Sequence, residues 1–187
     1  MATATRPRKI RVEEFLGFVF PPDNKYELID GAIYAMTGGS PAHNRVQANL
    51  MRFLGTALRG TGCRPYGSDQ ALQTMAHTTR YPDVTIYCGD PGRNEPLEGN
   101  LLPNPQVVIE VLSPSTRGFD ESRKLEEYQS LPSVQTVAFV DPEAEWVKVH
   151  QRETNGQWDV IPRRETNDLS LPSLGIIIPK EEVFARD

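Results

Sequence analysis

Residues 107–112 read Val-Val-Ile-Glu-Val-Leu and then break into Ser-Pro-Ser-Thr. An apolar run of this length, bounded by turn residues, reads as a β-strand covered on both faces. Glu110 stands inside it. An ionised carboxylate left unpaired in such a strand costs several kcal/mol, or its pKa shifts until it is neutral. Some other group in the chain must compensate it.

Val46, Leu50, Phe53, Leu54, Ala57 and Leu58 recur at helical spacing behind Ser40-Pro41, so the longest helix is expected over 41–59. A shorter helix is expected over 12–20, ahead of Pro21-Pro22. Tyr26–Ile29 and Ala32–Met36 flank Asp30-Gly31 and read as a hairpin. Residues 63–73 read as extended, and 80–87 as a strand whose proline places it at a start or an edge. A Pro/Gly-rich loop over 89–105 precedes the opening strand, and a helix over 120–130 stops at Leu131-Pro132. Three further strands follow, separated by Asp141-Pro142 and Asn155-Gly156. This order predicts an α/β (α+β) chain, a mixed sheet with helices packed beside it.

The 187 residues, 38% hydrophobic and 24% charged, suit one soluble domain spanning 1–187, with 1–11 as a flexible start. No apolar run approaches the roughly 20 residues that span a bilayer, and no apolar segment follows the basic N-terminus. A cytoplasmic location without membrane contact is therefore expected. Cys63 and Cys88 form no C-x-x-C pair and are expected to be small buried hydrophobes. A net charge of −5 opposes a broad basic footprint, so any polyanion site has to be local or metal-assisted.

If the strands carrying Asp83 and Glu110 pair as neighbours, two carboxylates converge at one end of a sheet. Close carboxylates raise each other's pKa unless a cation lies between them. A hard dication such as Mg²⁺, for which Mn²⁺ can substitute, resolves the repulsion and explains Glu110. An arginine or backbone donors could hold Glu110 equally. Asp120, Lys124 and Tyr128 share a helix face. There Lys124 is either half of a solvated Asp–Lys pair or an ammonium directed at the carboxylates, able to stabilise charge on a phosphate oxygen. Alternation puts Glu27 on one face with Ile29, as a third metal ligand, a base, or the partner of an arginine. His43 follows Gly38-Gly39-Ser40-Pro41 in the first turn of the long helix, a place that suits a phosphate but also a structural histidine.

In order, YELIDG (26–31), GGSPAHN (38–44), YPDV (81–84), VIEVLSPST (108–116), and Asp120, Lys124 and Tyr128 resemble the Uma2 family, described as restriction endonucleases of the PD-(D/E)XK superfamily. The resemblance covers about residues 12–184 and includes the closing SLPSLGIIIPKEEVF. It implies a restriction endonuclease-like fold, a central mixed β-sheet flanked by helices. It also implies that Asp83 and Glu110 are ligands of a divalent metal and that Glu27 is an additional acidic residue. The lysine usual two places after the acid would fall at Leu112; the family places one on the following helix, which is Lys124. The expected activity is Mg²⁺-dependent hydrolysis of DNA, with His43 or the amides around Gly39 on a neighbouring phosphate. A homodimer would suit duplex cutting. The alternative is a non-catalytic member of the same fold that binds protein or nucleic acid.

Overall fold

The computed structural model describes residues 8–36, 38–89, 99–113, 119–161 and 167–186, the side chains of Phe119 and Asp120 excepted. Two sheets divide the strands. The larger has the order β10-β9-β8-β7-β6-β3, built from Trp158–Ile161, Trp146–Arg152, Thr136–Asp141, Val107–Val111, Val84–Cys88 and Cys63–Gly67. The smaller has the order β2-β1-β5-β4, from Ala32–Ala35, Tyr26–Ile29, Thr78–Arg80 and Leu72–Met75. A hairpin of β11 (Leu169–Leu171) and β12 (Ile176–Ile178) leads to α4 (Lys180–Val183).

Within the large sheet β7 and β8 pair parallel, and every other pairing is antiparallel. A parallel pair needs a crossover, and α3 (Phe119–Gln129) supplies it. Long α2 (Pro41–Ala57) lies on the other side. Its Val46, Leu50 and Leu54, four residues apart, are fully buried against Val84, Ile86, Val107, Ile109 and Val111. Val108, Leu112, Val137 and Phe139 instead pack with Tyr128 of α3. The strand expected to be covered on both faces is so covered, and the mixed sheet flanked by helices is the observed architecture.

Three boundaries and the reading of the cysteines differ from the sequence reading. The strand expected over 80–87 is two strands, because Tyr81-Pro82-Asp83 carries the chain from the small sheet to the large one. Proline cannot donate to a ladder, so the break falls there. Residues 63–73 divide in the same way, into β3 of one sheet and β4 of the other. The first helix, α1 (Val12–Leu16), ends at Gly17 rather than continuing to residue 20. Its first turn already buries Val12 and Phe15, and Phe20 stacks on Tyr26 instead. Finally, Cys63 and Cys88 face each other across the β3–β6 ladder and form a disulfide, and neither is buried. The pairing comes from the sheet register, which their separation of 25 residues did not reveal. Near the start of the described chain, the Ile10 amide donates to the Gly31 carbonyl, and Lys9 pairs with Asp30 at 3.0 Å.

Among the described residues no helix is long and apolar enough to cross a membrane.

Candidate active site

The antiparallel register aligns Val84 with Ile109, so one step further places Asp83 beside Glu110. The two residues thus take neighbouring positions where β6 begins and β7 ends, close enough for the Asp83 charge to act on Glu110. Here the ladder changes character. With Pro82 ending the backbone pairing, the Asp83 carboxylate takes over the acceptor role, and the Val111 amide donates to its Oδ2 at 2.8 Å. The Gln47 side chain on α2 donates to the Asp83 carbonyl at 2.9 Å. Asp83 is thus held by main chain and side chain together.

His43 approaches from the first turn of α2. Ser40 caps the helix by accepting from the His43 amide at 3.2 Å, and the ring Nε2 lies 3.2 Å from Asp83 Oδ2. The Asp83 contact raises the imidazole pKa above its usual value, against the lowering effect of burial. Gly39 is required by this packing. A Cβ there would sit 2.5 Å from His43 Nδ1 and 3.0 Å from Asn44 Oδ1. The Gly39 position and His43 thus belong together, with the ring turned to Asp83.

Glu110, 5% exposed, meets two groups from α3. Lys124 Nζ lies 3.1 Å from its Oε1, and the Tyr128 hydroxyl donates to the same oxygen. Burial in the apolar strand is the largest influence on Glu110 and raises its pKa. Lys124 and Tyr128 oppose the rise, while the Asp83 and Glu27 charges add to it. Burial would lower the Lys124 pKa, but the Glu110 and Glu27 carboxylates outweigh it, so the ammonium stays charged. Burial, and then Glu110, raise the Tyr128 phenol well above its usual range, so it serves as donor. Leu112, two places after Glu110, is buried in the apolar cluster with Tyr128. Lys124 reaches the same carboxylate from the helix.

Glu27 lies close enough to act electrostatically on Glu110 and Lys124, yet its Oε2 accepts from Arg80 Nη1 at 2.9 Å. Of the three roles open to it from sequence, the arginine partner is the one with a visible contact. Arg80 also binds Glu127 of α3 through Nε and Nη2, each at 2.8 Å. Sequence reasoning missed Arg80 and Glu127. Glu127 had a legible signal, since it lies three residues after Lys124 and shares its face; nothing local marks Arg80 as its partner. The Asp120 side chain, assigned to that face from sequence, lies outside the described residues.

The donor set fits a hard dication in kind. Among the described residues, the contacts to Asp83 and Glu110 are made through Oδ2 and Oε1. Mg²⁺ commonly takes one or two carboxylates and keeps several waters. Among the described residues no three His, Cys, Asp or Glu side chains form a fuller metal cage.

Residues 12–179 match the family model Uma2, described as "Putative restriction endonuclease". Two curated relatives are uncharacterized proteins of Synechocystis sp. The first, slr1290, is 29% identical over 94% of this chain and 92% of its own length. The second, sll1609, is 30% identical over 72% of this chain and 76% of its own. A crystal structure of "a putative nuclease belonging to DUF820" from Anabaena variabilis superposes with a TM-score of 0.73 at 18% identity. The superposition covers 94% of this chain and 98% of that one.

Proposed function

This chain belongs to the Uma2 family, and with that membership as premise we propose that it is a metal-dependent endonuclease that hydrolyses DNA phosphodiester bonds. The observation that carries the reading is that adjacent strands set Asp83 and Glu110 at neighbouring positions, with the Lys124 ammonium 3.1 Å from Glu110. In this proposal Asp83 and Glu110 hold Mg²⁺ or Mn²⁺. Such an ion, when bound, neutralises phosphate charge and lowers the pKa of a coordinated water.

The chain's own residues do the rest. The Val111 amide and the Gln47 side chain orient Asp83. We assign His43 to Asp83 rather than to a neighbouring phosphate, because the ring faces that carboxylate and the Ser40 cap uses its amide. Tyr128 and Lys124 together hold Glu110, and from there the Lys124 ammonium stabilises charge developing on a phosphate oxygen. A net charge of −5 is compatible with a polyanionic substrate if attraction is concentrated at one cationic point. Cutting both strands of a duplex suits two symmetric copies of the chain.

One observation favours a second reading, a non-catalytic protein- or nucleic-acid-binding module. Lys124 and His43 already compensate the two carboxylates without a metal. Plasmid cleavage with Mg²⁺ or Mn²⁺, paired with calorimetric titration of Mn²⁺, separates the two. Asp83→Ala is expected to abolish both cleavage and binding. A wild-type chain that neither cleaves DNA nor takes up Mn²⁺ would leave the second reading in possession.

A further inference from the structure

A buried guanidinium helps tie the small sheet to the site. Arg80 ends β5 and is 4% exposed, yet it carries a full charge in the interior. Its fork grips Glu127, itself 1% exposed, through Nε and Nη2, while Nη1 reaches across to Glu27 on β1. The Thr74 hydroxyl of β4 donates to Glu127 Oε2 at 3.0 Å, and Arg123 Nε donates to its Oε1 at 3.2 Å. Glu127 therefore receives donors from two strands of the small sheet and from its own helix.

Its place on that helix gives the network a consequence for the site. Glu127 lies one residue before Tyr128 and one turn after Lys124, the two groups that meet Glu110. A shift of α3 that slackens the Arg80–Glu127 fork would also disturb the contacts of both with Glu110. At its other end Arg80 is joined to Asp83 by only Tyr81 and Pro82, and proline restricts that link. We propose that Arg80 and Glu127 are positioning residues: a buried fork that sets α3 against β1 and β5, so that Lys124 and Tyr128 reach Glu110 while Asp83 stands opposite. The catalytic part of this inference rests on the nuclease reading above. An arginine is needed because a planar fork directs three bonds at once, whereas an ammonium would replace the charge without the geometry.

The test uses the full chain with Arg80→Met, Arg80→Lys and Glu127→Gln, each checked for folding by circular dichroism. The first readout is independent of activity: the ¹H–¹⁵N signal of the Lys124 ammonium without metal, visible when the group is held and shielded from exchange. It is expected in the wild type and lost or broadened in all three variants. The second is the kcat and KM split for plasmid cleavage with Mn²⁺. Loss of about a hundredfold in kcat with KM nearly unchanged is expected, as for a displaced catalytic group, and Arg80→Lys should not rescue it. A folded variant that keeps the Lys124 signal overturns the proposal, and so does one that loses the signal yet keeps kcat. If Arg80→Met fails to fold, Glu127→Gln preserves the side-chain shape and carries the same expectation. If the wild type cleaves nothing, the nuclease reading fails, and the ammonium signal still decides whether the fork positions α3.

Discussion

The two faces of β7 are made by neighbouring residues and obey different rules. Val107, Ile109 and Val111 turn to α2 and join an apolar cluster, where shape and buried area are sufficient. Val108 and Leu112 turn to α3, and between them Glu110 requires named partners, Lys124 and Tyr128. The α2 face tolerates any well-fitting hydrophobe, at a cost set by volume. The α3 face is specified atom by atom, since an unpaired buried charge costs far more than a small void. Stability and the proposed chemistry are thus separated by the pleat of one strand.

Four substitutions can break or sharpen that contrast. Lys124→Ala, on the α3 face, is expected to slow plasmid cleavage about 10²–10³-fold, the loss typical of one preorganised donor. A wild-type rate in the folded variant would remove Lys124 from the chemistry. Ile109→Ala, on the α2 face, is expected to destabilise by about 2–5 kcal/mol in denaturant titration, with the rate per folded molecule unchanged. If it instead impairs cleavage without loss of stability, the two faces are not separate. Tyr128→Phe removes one donor from a buried acceptor and should cost about 1–3 kcal/mol by the same titration. A neutral result there would mean that Lys124 alone suffices to hold Glu110.

The smallest effect expected is one of pH. His150 shares the α3-side face, edge-on to Phe139, and its buried Nε2 has no hydrogen-bond partner among the described residues. Burial, aided by the Lys148 charge, lowers its pKa below the ordinary 6.5. The folded state therefore favours neutral imidazole, so its stabilisation is present above 6.5 and is lost as pH falls toward the folded-state value. Thermal melts at about pH 7.5 and about pH 5 should show lower stability in acid, and His150→Leu should narrow the gap. His43 acts with opposite sign. Its pKa is raised by Asp83, so its contribution is present below 6.5 and is lost as pH rises through the folded-state value. The variant, rather than the pH scan alone, isolates His150.

Much of the frame was legible before any coordinates. The Asp30-Gly31 hairpin, α2 behind Ser40-Pro41, the doubly covered β7 and the helix bearing Lys124 lie close to where pattern put them. The pairing of the strands bearing Asp83 and Glu110 was an expectation from loop length, and β6 and β7 do pair. Other features left no local trace. The switch of sheets at Tyr81-Pro82-Asp83 looked like the start of one strand, because a proline reads the same in either setting. The Cys63–Cys88 disulfide depends on β3 lying beside β6 in one register. Arg80 reads as one more charged residue until Glu27 and Glu127 arrive from positions 53 and 47 residues away.

By itself the sequence determined what depends on neighbours along the chain: helix and strand periodicity, the serine cap, the turn at Asp-Gly, and the demand that Glu110 be compensated. Only the tertiary structure decided what meets that demand. Lys124 and Tyr128 meet Glu110, His43 turns to Asp83, and Arg80 takes both Glu27 and Glu127. The physical reason is that backbone preferences act over a few residues, whereas a buried charge is stabilised by whatever polar group the fold carries to it.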